Sequence, residues 1–124
     1  MDARRIGIVG PCSSGKSTLA RALRALGYRV KEIMQEHCAA PEMWRRITDP
    51  DVLIYLDVRP DVAAQREGLA QPSSWWVEER AVRLAHARAH CDLYIDTSAL
   101  TPEDVLAQAV GYLQEGAAVP AVSS

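Results

Sequence analysis

The chain carries the segment GPCSSGKS at positions 10–17, and this segment decides the fold. It matches the pattern G-x-x-x-x-G-K-[ST] in full. The apolar run Arg5–Val9 before it is typical of a buried strand, and leucines and alanines recur at helical spacing from Lys16 to Gly27 after it. A strand, a tight loop and a helix therefore follow one another directly, which is the setting that this pattern requires.

The chemistry of the segment 10–17 predicts a site for phosphate groups. Gly10 and Gly15 allow a tight turn in which successive amide N–H groups point inward, and the positive end of the following helix reinforces this anion site. Lys16 is expected to reach the β- and γ-phosphates, and the Ser17 hydroxyl is expected to ligate Mg²⁺. ATP or ADP with Mg²⁺ is therefore the predicted cofactor. The residues predicted to bind it in this segment are Gly10, Cys12, Ser13, Ser14, Gly15, Lys16, Ser17 and Thr18.

Strands and helices alternate along the remaining chain. Apolar runs that favour strands lie at 52–56 and 93–95, and the weaker run 28–33 alternates apolar with charged residues, as an edge strand does. The helices are expected to begin at or near Pro41, Pro60, Ser74 and Thr101. This alternation predicts an α/β fold with a parallel sheet.

One of these helices, expected from 75 to about 90, carries two different faces. Its apolar stripe contains Val77, Ala81, Leu84 and Ala85. A second face carries Trp76, Arg80 and Arg83. Arginines on that face are candidates for contact with phosphate, because a planar guanidinium suits phosphate oxygens. For Arg83, pairing with Glu78 or Glu79 on an exposed helix is the favoured interpretation.

Length and composition limit the classes to which the chain can belong. It has 124 residues and a formal net charge of −2, so we expect one compact domain at 1–115 and a flexible tail at 116–124. The charge balance argues against a nucleic-acid partner, and the lack of an apolar stretch of about 18 residues argues against a membrane span. The three cysteines form no CxxC pair, so we expect them to be reduced and half-buried in a cytoplasmic protein.

Two further segments complete a resemblance to a known family, the small P-loop kinases. PDVLIYLDVRPDV at 50–62 looks like the family's fourth strand and the start of its next helix, and CDLYIDTS at 91–98 looks like its last strand. Over about residues 5–113 the chain resembles this group, which holds nucleoside monophosphate kinases, thymidylate kinase, shikimate kinase and adenylylsulfate kinase. The resemblance implies a three-layer P-loop NTPase fold, in which helices flank a short, mainly parallel sheet of about four strands.

The resemblance also implies roles for single residues. Arg66 occupies the place of the arginine that opens the family's lid, and Thr97 and Ser98 lie in the loop that borders the nucleotide base. The kinases carry one more strand, with a metal-side carboxylate, and this chain has too few residues between its predicted second and third strands to form it. Either Asp57 takes over that duty beside Mg²⁺, or the metal is held by Ser17, phosphates and water alone.

Phosphoryl transfer to a hydroxyl needs a carboxylate near the acceptor and cations around the transferred group. Glu32, Glu36 and His37 follow the predicted second strand, whose carboxyl end faces the ligand crevice. Glu36 is the first candidate for general base or acceptor orientation, Glu32 is the second and His37 is a lesser one. A solvated polar turn explains these residues equally well. The predicted catalytic residues are Lys16, Glu36, Asp57, Arg66 and Arg80.

These residues predict a small ATP-dependent kinase that transfers a γ-phosphate to a nucleoside, a nucleotide or another small hydroxyl compound. A GTPase is not expected, because the chain has no Asn-Lys-x-Asp segment to read guanine. Two alternatives stay open: a nucleotide-binding module that signals according to bound ATP or ADP, and a slow ATPase. The expected partners are a nucleotide and a small acceptor, and the two exposed edges of so small a sheet allow a homodimer.

Overall fold

The computed structural model describes residues 3–35, 38 and 40–122, with side chains as far as Glu115. The strands are β1 (Arg5–Val9), β2 (Arg29–Glu32), β3 (Val52–Asp57) and β4 (Leu93–Asp96). The helices are α1 (Lys16–Ala25), α2 (Met43–Ile47), α3 (Pro60–Arg66), α4 (Ser74–Glu78), α5 (Ala85–His90) and α6 (Pro102–Val122). A π-helical turn (Glu79–Arg83) separates α4 from α5.

The four strands form one parallel sheet in the order β2-β1-β3-β4. Ile8 of β1 pairs with Glu32 on one side and with Ile54 on the other. Every residue of β3 is buried, as expected of a central strand that is covered on both faces. The predicted α/β fold with about four mainly parallel strands and flanking helices is confirmed, and so is the edge position of β2.

The segment between β2 and β3 contains α2 and, among the residues described there, no strand. This agrees with the prediction that the chain is too short to form one. As a result, β2 pairs directly with β1, and the end of β2 lies next to the loop that follows β1. This arrangement determines which carboxylate lies near the segment 10–17. We call that segment the 10–17 loop.

Helices cover both faces of the sheet and leave the carboxyl ends of the strands for the loops. On one face, α1 and α6 pack through a buried cluster that includes Ile6, Ile8, Leu23, Ile54 and Leu113. On the other face, α2 and α5 pack through a cluster that includes Val9, Trp44, Leu53, Tyr55 and Ala87. Full burial of one such side chain contributes roughly 1.5–3 kcal/mol to stability. Ligands of open parallel sheets bind outside the carboxyl ends of the strands. The helices leave that edge uncovered, so it is the expected position of a ligand site.

The segment 75–90 is not the single helix that periodicity predicts, because the π turn interrupts it. The predicted apolar stripe is confirmed at Leu84, which is 0% exposed, but is wrong at Val77, which is 47% exposed, whereas Trp76 on the other predicted face is 2% exposed. Two physical causes explain the difference. Burial of the large indole outweighs burial of a valine, and the π turn adds a residue to the helical repeat and so rotates the faces that follow. The face that contains Trp76 therefore packs against the rest of the protein.

The last helix, α6, runs through Val122, where the sequence suggested a loop-like stretch from 116 onward. Alanine, the strongest helix former, is frequent there. At the start of α6 the N–H of Asp104 donates to Thr101 Oγ1 at 3.1 Å and the N–H of Thr101 donates to Asp104 Oδ2 at 3.0 Å, so Thr101 caps the helix at its predicted start. None of the three cysteines, all of which the structure describes, is in a disulfide bond, and each is partly exposed, as predicted. None of the helices in the described part of the chain is long and apolar enough to cross a membrane.

Candidate functional site

The 10–17 loop turns sharply between β1 and α1, and its backbone requires both of the glycines that the motif fixes. A Cβ atom on Gly10 would lie 2.1 Å from the carbonyl oxygen of Leu56, so no larger residue fits where the loop passes β3. Gly15 has a φ of 97° and is the N-cap of α1. That left-handed conformation costs glycine little and strains any residue with a Cβ atom.

Three consecutive carbonyl groups of the loop, those of residues 12–14, are held by three separate elements. Trp76 Nε1 on α4 donates to the first oxygen at 2.9 Å. Arg66 Nη1 on α3 donates to the second at 2.7 Å, and Thr97 Oγ1, which follows β4, donates to the third at 3.0 Å. In a trans peptide the N–H points away from the C=O, so these bonds orient the loop amides as well. The loop backbone is therefore ordered by contacts made on its outer side.

Lys16 bends back over the start of the loop. Its Nζ donates to the carbonyl oxygen of Gly10 at 2.8 Å and to that of Pro11 at 3.2 Å, and the residue is only 7% exposed. The ammonium group lies near the positive end of the α1 dipole. Two sources of positive potential thus meet at the loop, as an anion site requires.

Ser17 contacts a carboxylate from the neighbouring strand. Its Oγ donates to Glu32 Oε1 at 2.7 Å. Glu32 ends β2 and lies in register with Ile8, so the pairing of β2 with β1 brings this carboxylate to the first turn of α1. The sequence placed Glu32 second among the acceptor residues and did not connect it with Ser17. The available signal was the position of Glu32 at the carboxyl end of β2, a strand that no other strand separates from β1.

Asp57, predicted as the metal-side carboxylate, lies in a buried ion pair with Arg80. Its oxygens accept from Arg80 Nε at 2.8 Å and Nη2 at 2.9 Å, and Tyr94 Oη donates to the same carboxylate. Burial opposes ionisation of Asp57, but the hydrogen bonds from Arg80 and Tyr94 outweigh it and hold the pKa of this carboxyl below its ordinary value of 3.8. Burial and the hydrogen bond to Asp57 raise the pKa of Tyr94 to about 12. The pair thus joins two predicted site residues to each other and not to the 10–17 loop.

Arg66 and Thr97, two more predicted site residues, lie together on the outer side of the loop. Arg66 Nη1 donates to Thr97 Oγ1 at 3.2 Å and its Nη2 donates to the Thr97 carbonyl at 2.8 Å. The side chain of Ser98 lies in the turn after β4, where its Oγ donates to Asp96 at 2.6 Å and accepts from the N–H of Arg59 at 2.7 Å. The structure therefore brings Arg66 and Thr97 to the loop and places Ser98 in the adjoining turn.

Two cavities flank the 10–17 loop. The larger one, of about 440 Å³, lies between the loop and the start of α6, and its walls include Ser14, Arg66, Leu100, Pro102 and Val105. The other one, of about 320 Å³, lies toward β2, and its walls include Cys12, Lys16, Ser17, Glu32 and Met34. Ser13, Gly15 and Thr18 line both cavities. A single extended ligand can therefore cross the loop from one cavity to the other.

Ser14, which lines the larger cavity, carries a buried hydroxyl. Ser14 is 1% exposed, and its Oγ has no hydrogen-bond partner among the described residues. An unsatisfied buried polar atom costs about 1–3 kcal/mol. A Cβ atom on Gly10 would lie 2.8 Å from this oxygen, so the hydroxyl lies against the loop backbone and is not presented to a ligand in the cavity.

Some predicted residues fall elsewhere. Glu36 and His37 lie outside the described residues, so their role at the acceptor stays a prediction. Arg83 lies 3.4 Å from Glu78, which confirms the pairing expected for it. Within the described ranges, no group of three or more His, Cys, Asp and Glu side chains is arranged to hold a metal ion.

The sequence did not reveal what holds the loop from outside. The sequence placed Trp76 on a helical face with two arginines, and its bond to the loop joins residues 64 positions apart. Glu79, which is 1% exposed, accepts from Cys12 Sγ at 3.3 Å. Both contacts depend on how α4 and the π turn pack against the 10–17 loop, and no local sequence pattern indicates that packing.

A scan against protein-family models and a search of the curated proteins both give no match for this chain. The resemblance to the small P-loop kinases therefore rests on the residues of the chain itself, and the activity that it implies is a proposal.

Proposed function

We propose that this chain is a small P-loop phosphotransferase, which uses Mg²⁺ to transfer the γ-phosphate of ATP to the hydroxyl group of a small acceptor. The observation that carries the proposal is the contact between Ser17 and Glu32 in the same cavity as Lys16. Phosphoryl transfer asks a protein mainly to position groups and to stabilise charge. Loop amides, a lysine and a paired hydroxyl and carboxylate supply those functions around one cavity.

The donor chemistry of Ser17 and Glu32 fits Mg²⁺. This ion takes oxygen ligands, keeps several waters and is usually bound by only one or two protein groups together with substrate phosphates. The Ser17 hydroxyl would ligate the ion, and Glu32 would keep that hydroxyl oriented. When bound, the ion neutralises charge on the β- and γ-phosphates. In this proposal Glu32 takes over the duty that the sequence assigned to Asp57.

The larger cavity suits the nucleoside part of ATP. Its volume of about 440 Å³ lies within the usual range of ligand sites. Leu100 and Pro102 offer apolar surface to a base. Thr97, which the resemblance placed beside the base, holds the loop through the Ser14 carbonyl and is 3% exposed. We therefore assign base contact to Leu100 and Pro102.

A nucleotide-binding module without transfer is the second candidate function, and the ion pair of Arg80 with Asp57 favours it. Two hydrogen bonds to a carboxylate that is 2% exposed keep Arg80 at the end of β3. Arg66 is likewise bonded to the backbone at Ser13 and Thr97. If both arginines keep these bonds when nucleotide binds, the transferred phosphate lacks two of its predicted cations. Such a protein would report whether ATP or ADP is bound.

Thermal unfolding with Mg²⁺ and ATP, ADP or GTP tests nucleotide binding. At a concentration one hundred times Kd, a bound nucleotide adds about 2.7 kcal/mol to the free energy of unfolding. Lys16→Ala should remove the resulting rise in Tm. Arg21→Ala, an exposed position on the same helix, is the matched control and should keep it. A wild-type protein with no rise for any of the three nucleotides would contradict both candidate functions.

Release of ADP in the presence of hydroxyl compounds separates transfer from binding alone. If an acceptor raises ADP release above the hydrolytic background and Glu32→Gln lowers that release, the transferase proposal is supported. If nucleotide binds but no acceptor changes ADP release, the module is favoured. A hydrolytic background that disappears in Lys16→Ala would identify the third alternative, a slow ATPase.

A further inference from the structure

A groove of about 290 Å³ lies at the amino ends of β1 and β2, at the opposite end of the sheet from the 10–17 loop. We call it the amino-end groove. Its walls come from the two strands and from the end of α2, and they include Arg5, Arg29, Val30, Lys31 and Ile47. It shares no wall residue with the two cavities that flank the loop. A ligand of this groove would therefore occupy a site separate from the one proposed for the nucleotide.

The pairing of β1 with β2 brings three cations of this groove together. Arg5 of β1 is the register partner of Arg29 of β2, and Lys31 follows Arg29 by two positions. Side chains alternate between the two faces of a sheet, and register partners share a face, so all three side chains lie on one face. It is the face that α2 covers, because Ile33, two positions after Lys31, belongs to the same buried cluster as Trp44. The three cations stand beyond the end of α2 and are exposed.

The carboxylate of Asp51 offsets one of these three positive charges. Its Oδ2 accepts from the N–H of Arg5 at 2.8 Å and lies 3.6 Å from Arg5 Nε. That hydrogen bond and the charges of Arg5 and Arg29 hold the pKa of Asp51 below its ordinary value of 3.8. None of the described residues that line the groove is acidic. Three positive charges and one negative charge leave a net charge of +2 at the groove.

This arrangement of charges costs the folded protein free energy. Like charges directly opposite each other on neighbouring strands are destabilising, and Arg5 and Arg29 form such a pair. Cations on an edge strand can serve to prevent pairing with another chain. That role does not explain Arg5, because β1 is paired with a strand on each side. An anion that lies among the three cations would remove the repulsion between them.

Charge and geometry together favour a phosphate monoester as that anion. A phosphate monoester carries a charge of about −1.5 to −2 at pH 7, which matches the net charge of the groove, whereas a single carboxylate carries about half as much. The planar guanidinium groups of Arg5 and Arg29 suit phosphate oxygens, which they can bind in pairs. Ile47, which is 65% exposed, gives the rim of the groove an apolar surface for a small organic group.

We propose that the amino-end groove is a second anion site, which binds a small phosphate monoester. The phosphate group lies among Arg5, Arg29 and Lys31, and the organic part of the ligand packs on Ile47. This inference goes beyond the proposed function and does not depend on it, because no residue of the groove belongs to the 10–17 loop. The protein would then bind phosphate groups at both ends of its sheet, through backbone amides at one end and through side chains at the other.

Calorimetric titration with phenyl phosphate at constant ionic strength tests the class of ligand. The protein carries Lys16→Ala, so that binding at the 10–17 loop does not contribute. Saturable binding of phenyl phosphate is expected, and benzoate, which carries a similar ring but a single charge, should bind at least about tenfold more weakly. No binding of phenyl phosphate, or equal binding of benzoate, would overturn the proposal. Tighter binding of a hexaglutamate peptide would assign the groove to an acidic protein segment and would also overturn it.

Charge removal in the same Lys16→Ala protein tests the location. Arg29→Gln and Lys31→Gln should each weaken binding of phenyl phosphate by about tenfold or more, because each removes a charged contact. Arg21→Gln, at an exposed position on α1 that lines none of the described cavities, is the matched control and should bind normally. Equal binding by the Arg29 and Arg21 variants would overturn the assignment to the groove.

The Tm without ligand distinguishes a binding site from a structural contact. Arg29→Gln removes the repulsion from Arg5, so its Tm should be no lower than that of the Lys16→Ala parent. A variant that keeps its Tm and loses phenyl phosphate has lost a site and not its fold. A clear fall in Tm would mean that Arg29 stabilises the sheet, which would contradict the repulsion on which the proposal rests.

Discussion

Arg80 on the π turn and Asp57 at the end of β3 form a two-pronged ion pair, with N···O distances of 2.8 and 2.9 Å. The aspartate side chain is 2% exposed and the arginine side chain is 34% exposed. The pair fixes the π turn to the strand end that adjoins the 10–17 loop. It therefore stabilises the segment 74–83, in which Trp76 donates a hydrogen bond to the Cys12 carbonyl.

Arg80→Ala should destabilise the protein by about 3 kcal/mol, the low end of the cost of breaking a buried ion pair, because it leaves Asp57 charged and buried. Urea unfolding measures the change. Arg46→Ala is the control: its exposed pair with Glu42, at 2.8 Å, should be worth no more than about 0.5 kcal/mol. Equal losses for the two variants would show that the Arg80 pair stabilises no more than a surface pair.

Asp57 should make the free energy of unfolding depend on pH in the acid range. Its pKa in the folded protein lies below the ordinary value of 3.8, so the folded state binds fewer protons than the unfolded state in that range. The free energy of unfolding therefore falls as the pH drops through 3.8 toward the lower folded-state value. Asp57→Asn removes this titration. Urea unfolding between about pH 5 and pH 3 should show a smaller loss for the variant than for wild type, and parallel losses would contradict the assignment.

Glu32→Gln should weaken nucleotide binding when Mg²⁺ is present and leave it unchanged when EDTA is present. A group that orients a metal ligand typically changes metal affinity by about 10- to 100-fold. Nucleotide titration followed by thermal unfolding, with and without the ion, measures both cases. Glu78→Gln, an exposed glutamate on α4, should match wild type in both. A loss of the same size in EDTA would mean that Glu32 supports the loop and not the metal.

The two glycines of the loop should differ sharply when each is replaced by alanine. Gly10→Ala puts a Cβ atom 2.1 Å from the Leu56 oxygen, so we expect a loss above about 4 kcal/mol or no folded protein. A Cβ atom on Gly15 would meet no heavy atom within 4 Å, so that variant carries only the strain of its φ of 97°. That strain is about 1–2 kcal/mol. Circular dichroism and urea unfolding compare the two, and similar losses would refute the close approach of Gly10 to β3.

Much of the fold could be predicted because its signals are local. The central strand β3 is a continuous apolar run that begins after Pro50 and ends before Pro60, and β1 leads straight into the glycines of the loop. The number of residues between β2 and β3 ruled out a further strand. The charged residues of β2 indicated that it is an edge strand. Each of these features depends on composition and spacing over about twenty residues or fewer.

The contacts that could not be predicted depend on docking across long sequence separations. Local periodicity favoured Val77 as a buried residue, but the π turn and the burial of Trp76 reversed the faces. The order of strands in the sheet brings Glu32, and not Asp57, to Ser17, and hydrophobic patterns carry no information about that order. The candidate site was therefore predictable along the loop and became uncertain where neighbouring strands contribute.

The three hydrogen bonds to the carbonyls of residues 12–14 also govern how the loop moves. Because α3, α4 and the turn after β4 each hold one of these groups, the loop loses its conformational freedom when the chain folds and not when a ligand arrives. Association with an anion then needs little backbone rearrangement. Local opening of the loop must break bonds to three elements at once, so its backbone should open far less often than that of a loop without such bonds.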